Sequence, residues 1–171
     1  IMRQINAAEA DAQLYNKLAN SIIFANASLR ADPSVIIKNH RGQSGLWSYS
    51  ISGDLPIVLL QIEDVTNVEL VRQLVQAHAY WRQKGLIVDL VIWNDDHGGY
   101  RQELHDRIHG LADPAITADL KDKPGGIFIR SDNQISNKDK KLFQTVAQVV
   151  ISDRLGTLEE QINRGKKKKK N

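Results

Sequence analysis

Two short stretches contain the residue types that could do chemistry. The stretch Trp93-Asn94-Asp95-Asp96-His97-Gly98-Gly99-Tyr100 joins an indole and a phenol ring to an amide, two adjacent carboxylates and an imidazole. Aromatic rings can stack on sugar faces, and carboxylates and amides can bind hydroxyls, so Trp93, Asn94, Asp95 and Tyr100 are candidate carbohydrate contacts. A carboxylate pair can also serve glycosidic acid–base chemistry, but adjacent acids ordinarily point in different directions. A plain loop and helix cap is the favoured reading, with binding second and catalysis last. The second stretch, Ser52-Gly53-Asp54-Leu55-Pro56 with Trp47 upstream, offers a tight turn, a carboxylate and a further indole. It precedes an apolar run, so a turn that starts a strand is the favoured reading. Trp47 and Asp54 join the candidate sugar contacts.

Other chemistries find less support. His97, His105 and His109 include an i, i+4 pair near Asp95, Asp96 and Asp106. A zinc site needs three or four converging ligands, HExxH is absent, and the pair falls off the apolar stripe of its helix. No metal and no cofactor is expected. His78 lies beside an apolar helical face, as a hydrogen-bonded packing residue does. Neither GxGxxG nor GxxxxGK[ST] occurs, so no phosphate loop is expected. GxSxG is absent and there is no cysteine, which removes the usual nucleophile signatures, disulfides and thiolate metal sites. No catalytic residue is assigned.

The elements that must position these residues follow from periodicity. Residues 8–29 read as one long amphipathic helix with Leu14, Leu18, Ile22 and Leu29 inward, ended by Pro33. Residues 35–54 read as irregular structure around Leu46, Trp47, Tyr49 and Ile51. The run Ile57-Val58-Leu59-Leu60 is short enough for a buried strand. Thr66 and Glu69 have capping-box spacing before a helix with Leu70, Leu74, Ala77 and Trp81 on one face. Gly85 stops that helix, and residues 86–93 form a second strand. Strand, helix, glycine, strand is a βαβ unit, so the strands should be parallel. A helix over residues 100–111, a strand over 126–130 and a helix opened by Ser136 and Asp139 follow. Val149-Val150-Ile151 suits either the end of that helix or a fourth strand, and residues 155–162 a last short helix.

The expected fold is α/β: a small doubly wound, mainly parallel sheet of three or four strands with flanking helices and a long N-terminal helix. Its parts would be an N-terminal arm over residues 1–33, packed on the layer or projecting away, an α/β domain over 34–155 and a short helix with a basic tail over 156–171. In such a sheet ligands bind beyond the carboxyl ends of the strands, which favours the 93–100 loop over the 52–56 turn.

Hydrophobic residues make up 42% of the 171, enough for a core. Five of the 23 Lys and Arg form the run Lys166 to Lys170; without them 18 face 20 Asp and Glu, so the body is near neutral. The run reads as a solvated, disordered tail that could touch phosphates or an anionic membrane surface. Elsewhere no basic, aromatic-interleaved face suggests nucleic-acid binding. No apolar run approaches the roughly 20 residues needed to span a bilayer, and no signal-peptide pattern opens the chain.

Three stretches resemble one family. Residues Gly42-Gln43-Ser44-Gly45-Leu46-Trp47 lead into Ile51-Ser52-Gly53-Asp54-Leu55-Pro56-Ile57-Val58. Then come Leu70-Val71-Arg72-Gln73-Leu74, Ala77-His78, Tyr80-Trp81, Lys84-Gly85-Leu86 and Val88-Asp89-Leu90-Val91-Ile92. Gly125-Gly126-Ile127-Phe128, Arg130 and Leu155-Gly156-Thr157-Leu158 continue the pattern. Together they are similar to the cyclic β-1,2-glucan synthases, large bacterial inner-membrane proteins with a glycosyltransferase region and a glycoside-phosphorylase-like region. The resemblance implies an internal, non-catalytic region between β-sandwich modules, ahead of the phosphorylase-type barrel and on the cytoplasmic side. The start at Ile1-Met2 agrees with an excised segment, and none of the family's catalytic acids has a counterpart in it. Neighbouring modules of the same parent chain are the implied partners, with β-1,2-glucan as a further candidate. A glucan-binding module and an autonomous small α/β enzyme are the alternatives.

Overall fold

A computed structural model describes residues 9–24, 43–113 and 119–170. The fold is α/β, built on four parallel strands: β1 (Ile57–Ile62), β2 (Asp89–Asn94), β3 (Ile127–Ser131) and β4 (Val149–Ser152). Their order across the sheet is β3-β2-β1-β4. The helices are α1 (Glu9–Ile23), α2 (Glu69–Gln83), α3 (Arg101–Leu111), α4 (Asn137–Val146) and α5 (Leu158–Lys170).

Both sheet faces are apolar, which is why the strands read as continuous hydrophobic runs. Because side chains alternate along a strand, Val58, Leu60 and Ile62 enter one core with Leu90, Ile92, Leu74 and Ile108. Ile57 and Leu59 enter the other with Val91, Trp93, Phe128, Leu142 and Phe143. Thus α2 and α3 cover one face and α4 the opposite one, the double winding expected. The chain steps outward from β1 to β2 to β3, then returns over the other face to place β4 beyond β1. Val149-Val150-Ile151 is therefore a strand, freed from the preceding helix where Ala147 turns extended (φ −64°, ψ 131°).

The N-terminal helix packs on the layer. Leu14, Tyr15, Leu18 and Ile22 are buried in the α2 core, and Trp81 Nε1 donates to the Tyr15 carbonyl at 2.9 Å. Its expected last turn at residues 25–29, Leu29 included, and Pro33 lie outside the described residues. Burial of the phenol of Tyr15, with the Asp11 charge nearby, pushes its pKa up to about 12.

Three local expectations need correction. Thr66 and Glu69 do not form a capping box: the Asp64 carboxylate accepts from Thr66 N (2.9 Å) and Oγ1 (2.8 Å), opening a single 3₁₀ turn before α2. Glu69 pairs instead with Arg72, one helical turn along, which holds its carboxyl below the usual range. Ser136 does cap α4 by accepting from Asp139 N (3.2 Å), but the Asp139 carboxylate is taken by Tyr49. Finally, α5 does not stop near Ile162; its helical backbone continues through the lysines. Lysine is a good helix former, and a helix C-terminus favours cations.

Candidate functional site

The carboxyl ends of β2 and β3 hold a cluster of charged side chains. Asp95, just past β2, lies 3.4 Å from His97 Nε2, and the same nitrogen lies 3.5 Å from Asp132 Oδ2, just past β3. Lys140, in the first turns of α4, forms an ion pair with the other Asp132 oxygen. Asp132 is largely buried, whereas His97 is 63% exposed. Asp132 went unnoticed in the sequence; its signal was a position after β3 equivalent to that of Asp95 after β2.

One donor atom from each of Asp95, His97 and Asp132 lies within 4.8 Å of the others. The set is a weak one for a metal. The Lys140 ammonium already balances Asp132, so a divalent cation would have to displace it. His105 and His109 stay apart from this group; their rings face each other on α3 at 4.2 Å.

The candidate sugar contacts do not converge. Trp93 is buried, its ring edge-on to Phe143 at 5.6 Å and 89°, so its face is not available to a sugar. It shares the strand face of Val91, which carries it into the second core. Asn94 is also buried: its Nδ2 donates to the Arg101 carbonyl (2.8 Å) and its Oδ1 accepts from Asp96 N (3.2 Å), fixing the 94–101 loop. Asp96 likewise accepts from Gly98 N at 2.6 Å. Tyr100 is 60% exposed ahead of α3, and Asp95 belongs to the cluster above. Trp47 is 64% exposed on the 3₁₀ segment Gln43–Tyr49, where its Nε1 donates to the Ser52 carbonyl (3.2 Å). Ser52 Oγ in turn accepts from Asp54 N (3.1 Å). Trp47 and Asp54 thus sit at the turn that enters β1, while Asp95 and Tyr100 lie past the far end of β2.

The 43–49 segment is fastened to the sheet by polar contacts. Tyr49 Oη donates to Asp139 Oδ2 at 2.5 Å, and Arg130 donates to the Tyr49 carbonyl (3.0 Å) and to Asp122 (2.9 Å). At the N-terminal ends of β2 and β3, Asp89 Oδ1 accepts from Gly125 N (2.6 Å). His78 Nε2 lies 2.9 Å from the Gly125 carbonyl and 3.0 Å from that of Val88. Burial raises the Asp89 pKa, and burial lowers that of His78. Both groups stitch loops to the layer, as the packing reading of His78 has it.

The strand order also relocates the place where such a sheet takes ligands. The point at which the winding reverses lies between β1 and β4, outside the 93–100 loop. There Asp153, the first residue past β4, reaches over to the loop past β1. Its Oδ2 accepts from Glu63 N (3.0 Å), Asp64 N (3.0 Å) and Asn67 Nδ2 (3.1 Å).

The chain is also similar to a part of a known protein. No protein-family model matches the chain. Over 164 residues, 95% of its length, it is 27% identical to cyclic beta-(1,2)-glucan synthase NdvB of Rhizobium meliloti (strain 1021). It resembles a segment of a glucan synthase. That segment is 6% of the synthase's own length, so the chain matches a small part of a much larger protein. The family resemblance seen in the sequence is thereby supported over nearly the whole chain. No helix among the described residues is long and apolar enough to cross a membrane.

Proposed function

We propose that the chain is a non-catalytic, interdomain α/β module of a cyclic β-1,2-glucan synthase that makes periplasmic cyclic glucans. Its partners are neighbouring modules of the same parent chain. The parent sits in the bacterial inner membrane, with this module on the cytoplasmic side and outside the bilayer. Glycosyltransferase and phosphorylase chemistry belong to other regions of that parent.

One observation supports the non-catalytic role above the rest: the carboxylates at the carboxyl ends of the strands are engaged with the protein's own groups. Asp132 pairs with Lys140, Asp153 with the loop past β1, and Asp64 with Thr66. A general acid or base needs a proton route to substrate within hydrogen-bond reach, and these three are occupied by the chain's own donors, Asp64 at the surface. Incubation of the chain with β-1,2-glucan and phosphate tests the role. No glucose 1-phosphate is expected; phosphate-dependent release by the chain overturns it.

A glucan-binding module is the second reading, favoured by the exposure of the Trp47 and Tyr100 rings. Their placement on separate loops, with Trp93 in the core, weighs against one continuous sugar site.

A further inference from the structure

We infer that the crevice between β1 and β4 is a cradle for a small oxyanion, closed in this chain by its own Asp153 carboxylate. Open doubly wound sheets bind ligands where the winding reverses, beyond the carboxyl ends of the strands. Successive backbone N–H groups in such loops make concave sites for anions. Here the donors are Glu63 N, Asp64 N and Asn67 Nδ2, all within 3.1 Å of one oxygen, Asp153 Oδ2. Three convergent donors on one oxygen is the coordination that a ligand carboxylate or phosphate oxygen takes in such a place. The side chain fills it from within.

The neighbours hold the clasp in position. Gln161 on α5 brackets Ser152, accepting from its N–H (3.3 Å) and donating to its carbonyl (2.7 Å), and donates also to the Gly156 carbonyl (2.9 Å). Ser152 Oγ accepts from Arg154 N (3.2 Å). Residues on both sides of Asp153 are thus pinned, and its carboxylate points at β1. The two other acids of the loop leave the cradle free of competition. Asp64 is turned to Thr66, and Glu63 lies 3.6 Å from Arg154 Nε. The second oxygen, Asp153 Oδ1, is buried without a hydrogen-bond donor among the described residues. A ligand oxyanion could use the donors only by displacing that side chain.

The test follows the backbone amides of Glu63 and Asp64 by NMR during titration with inorganic phosphate and with acetate, chloride balancing ionic strength. In the unaltered chain these amides stay in place, because Asp153 holds them. In Asp153→Ala, thermal stability drops, with the Tm lower by about 5 °C, the scale for losing hydrogen bonds to a charged group in a chain of this size. Phosphate or acetate then restores part of it and moves both amides saturably. Asp153→Asn keeps an acceptor oxygen without the charge; it lowers Tm by less and leaves the amides indifferent to either anion. Saturable movement of the two amides in the unaltered chain would show the cradle open and overturn the inference. So would a folded Asp153→Ala chain whose amides ignore both anions. Where Asp153→Ala fails to fold, an Asp153→Asn chain with unchanged Tm overturns it.

Discussion

At the scale of single residues, the sheet converts several chemistry-bearing groups into packing groups. Trp93 and Asn94 are legible in the sequence as candidates because their types suit sugars, but their strand position decides otherwise. Trp93 follows Val91 at the two-residue period, so it shares that residue's buried face. That outcome depends on α4 covering the second face, which β2 alone does not reveal. His78 is the residue whose packing role was readable, beside an apolar helical stripe. It also carries a pH consequence. Burial holds His78 below its ordinary value of 6.5, so the unfolded chain takes up a proton before the folded one does. Stability is therefore lost as pH falls through the unfolded value and levels off below the folded one. Asp89 acts with the opposite sign: its raised pKa favours the protonated folded form, and that contribution fades as pH rises above 3.8. We expect the Tm to fall between about pH 7.5 and pH 5.5, the range spanning an unperturbed histidine. In His78→Gln, whose amide can donate to the Val88 and Gly125 carbonyls without titrating, the drop should be smaller. Parallel melts of the two proteins measure the difference, and equal slopes would remove His78 as its source.

At the scale of elements, the βαβ unit from β1 to β2 was readable because every local signal agreed. Two apolar runs, a periodic helix and Gly85 at φ +87° leave little room for another arrangement. The boundary between α4 and β4 was not, since an apolar run continues unbroken from Val146 through Ile151 apart from Gln148. Only the return of the chain to the β1 edge distinguishes strand from helix there. The 43–49 segment was expected to be irregular and is a 3₁₀ helix whose position depends on distant partners. Tyr49 and Asp139 are 90 residues apart in sequence, a separation no local pattern encodes. Removing the Tyr49 hydroxyl deprives a buried carboxylate of a donor, a loss of about 1.5–3 kcal/mol. Tyr49→Phe should therefore lower the urea midpoint and expose the segment around Trp47 to proteolysis first. Unchanged proteolysis at that segment would show that apolar packing of Leu46 and Ile51 holds it unaided.

At the scale of the whole molecule, the order β3-β2-β1-β4 determines which loops share an end and a crevice. It separates Trp47 and Asp54 from Asp95 and Tyr100, brings Asp132 to His97, and places Asp153 where the winding reverses. The first two follow from the parallel pairing of β1, β2 and β3, whereas the place of Asp153 is not visible until β4 is set beside β1. The chain matches 6% of the length of a glucan synthase, and the role proposed for it is that of a layer that supports larger neighbouring modules. Isothermal titration of the chain with linear and cyclic β-1,2-glucans tests that account most directly. With rings that neither converge nor share a cleft, no binding heat is predicted even at millimolar ligand, about −4 kcal/mol of binding free energy. Saturable heat that disappears in Trp47→Ala or Tyr100→Ala would contradict it and make the chain a glucan-binding module.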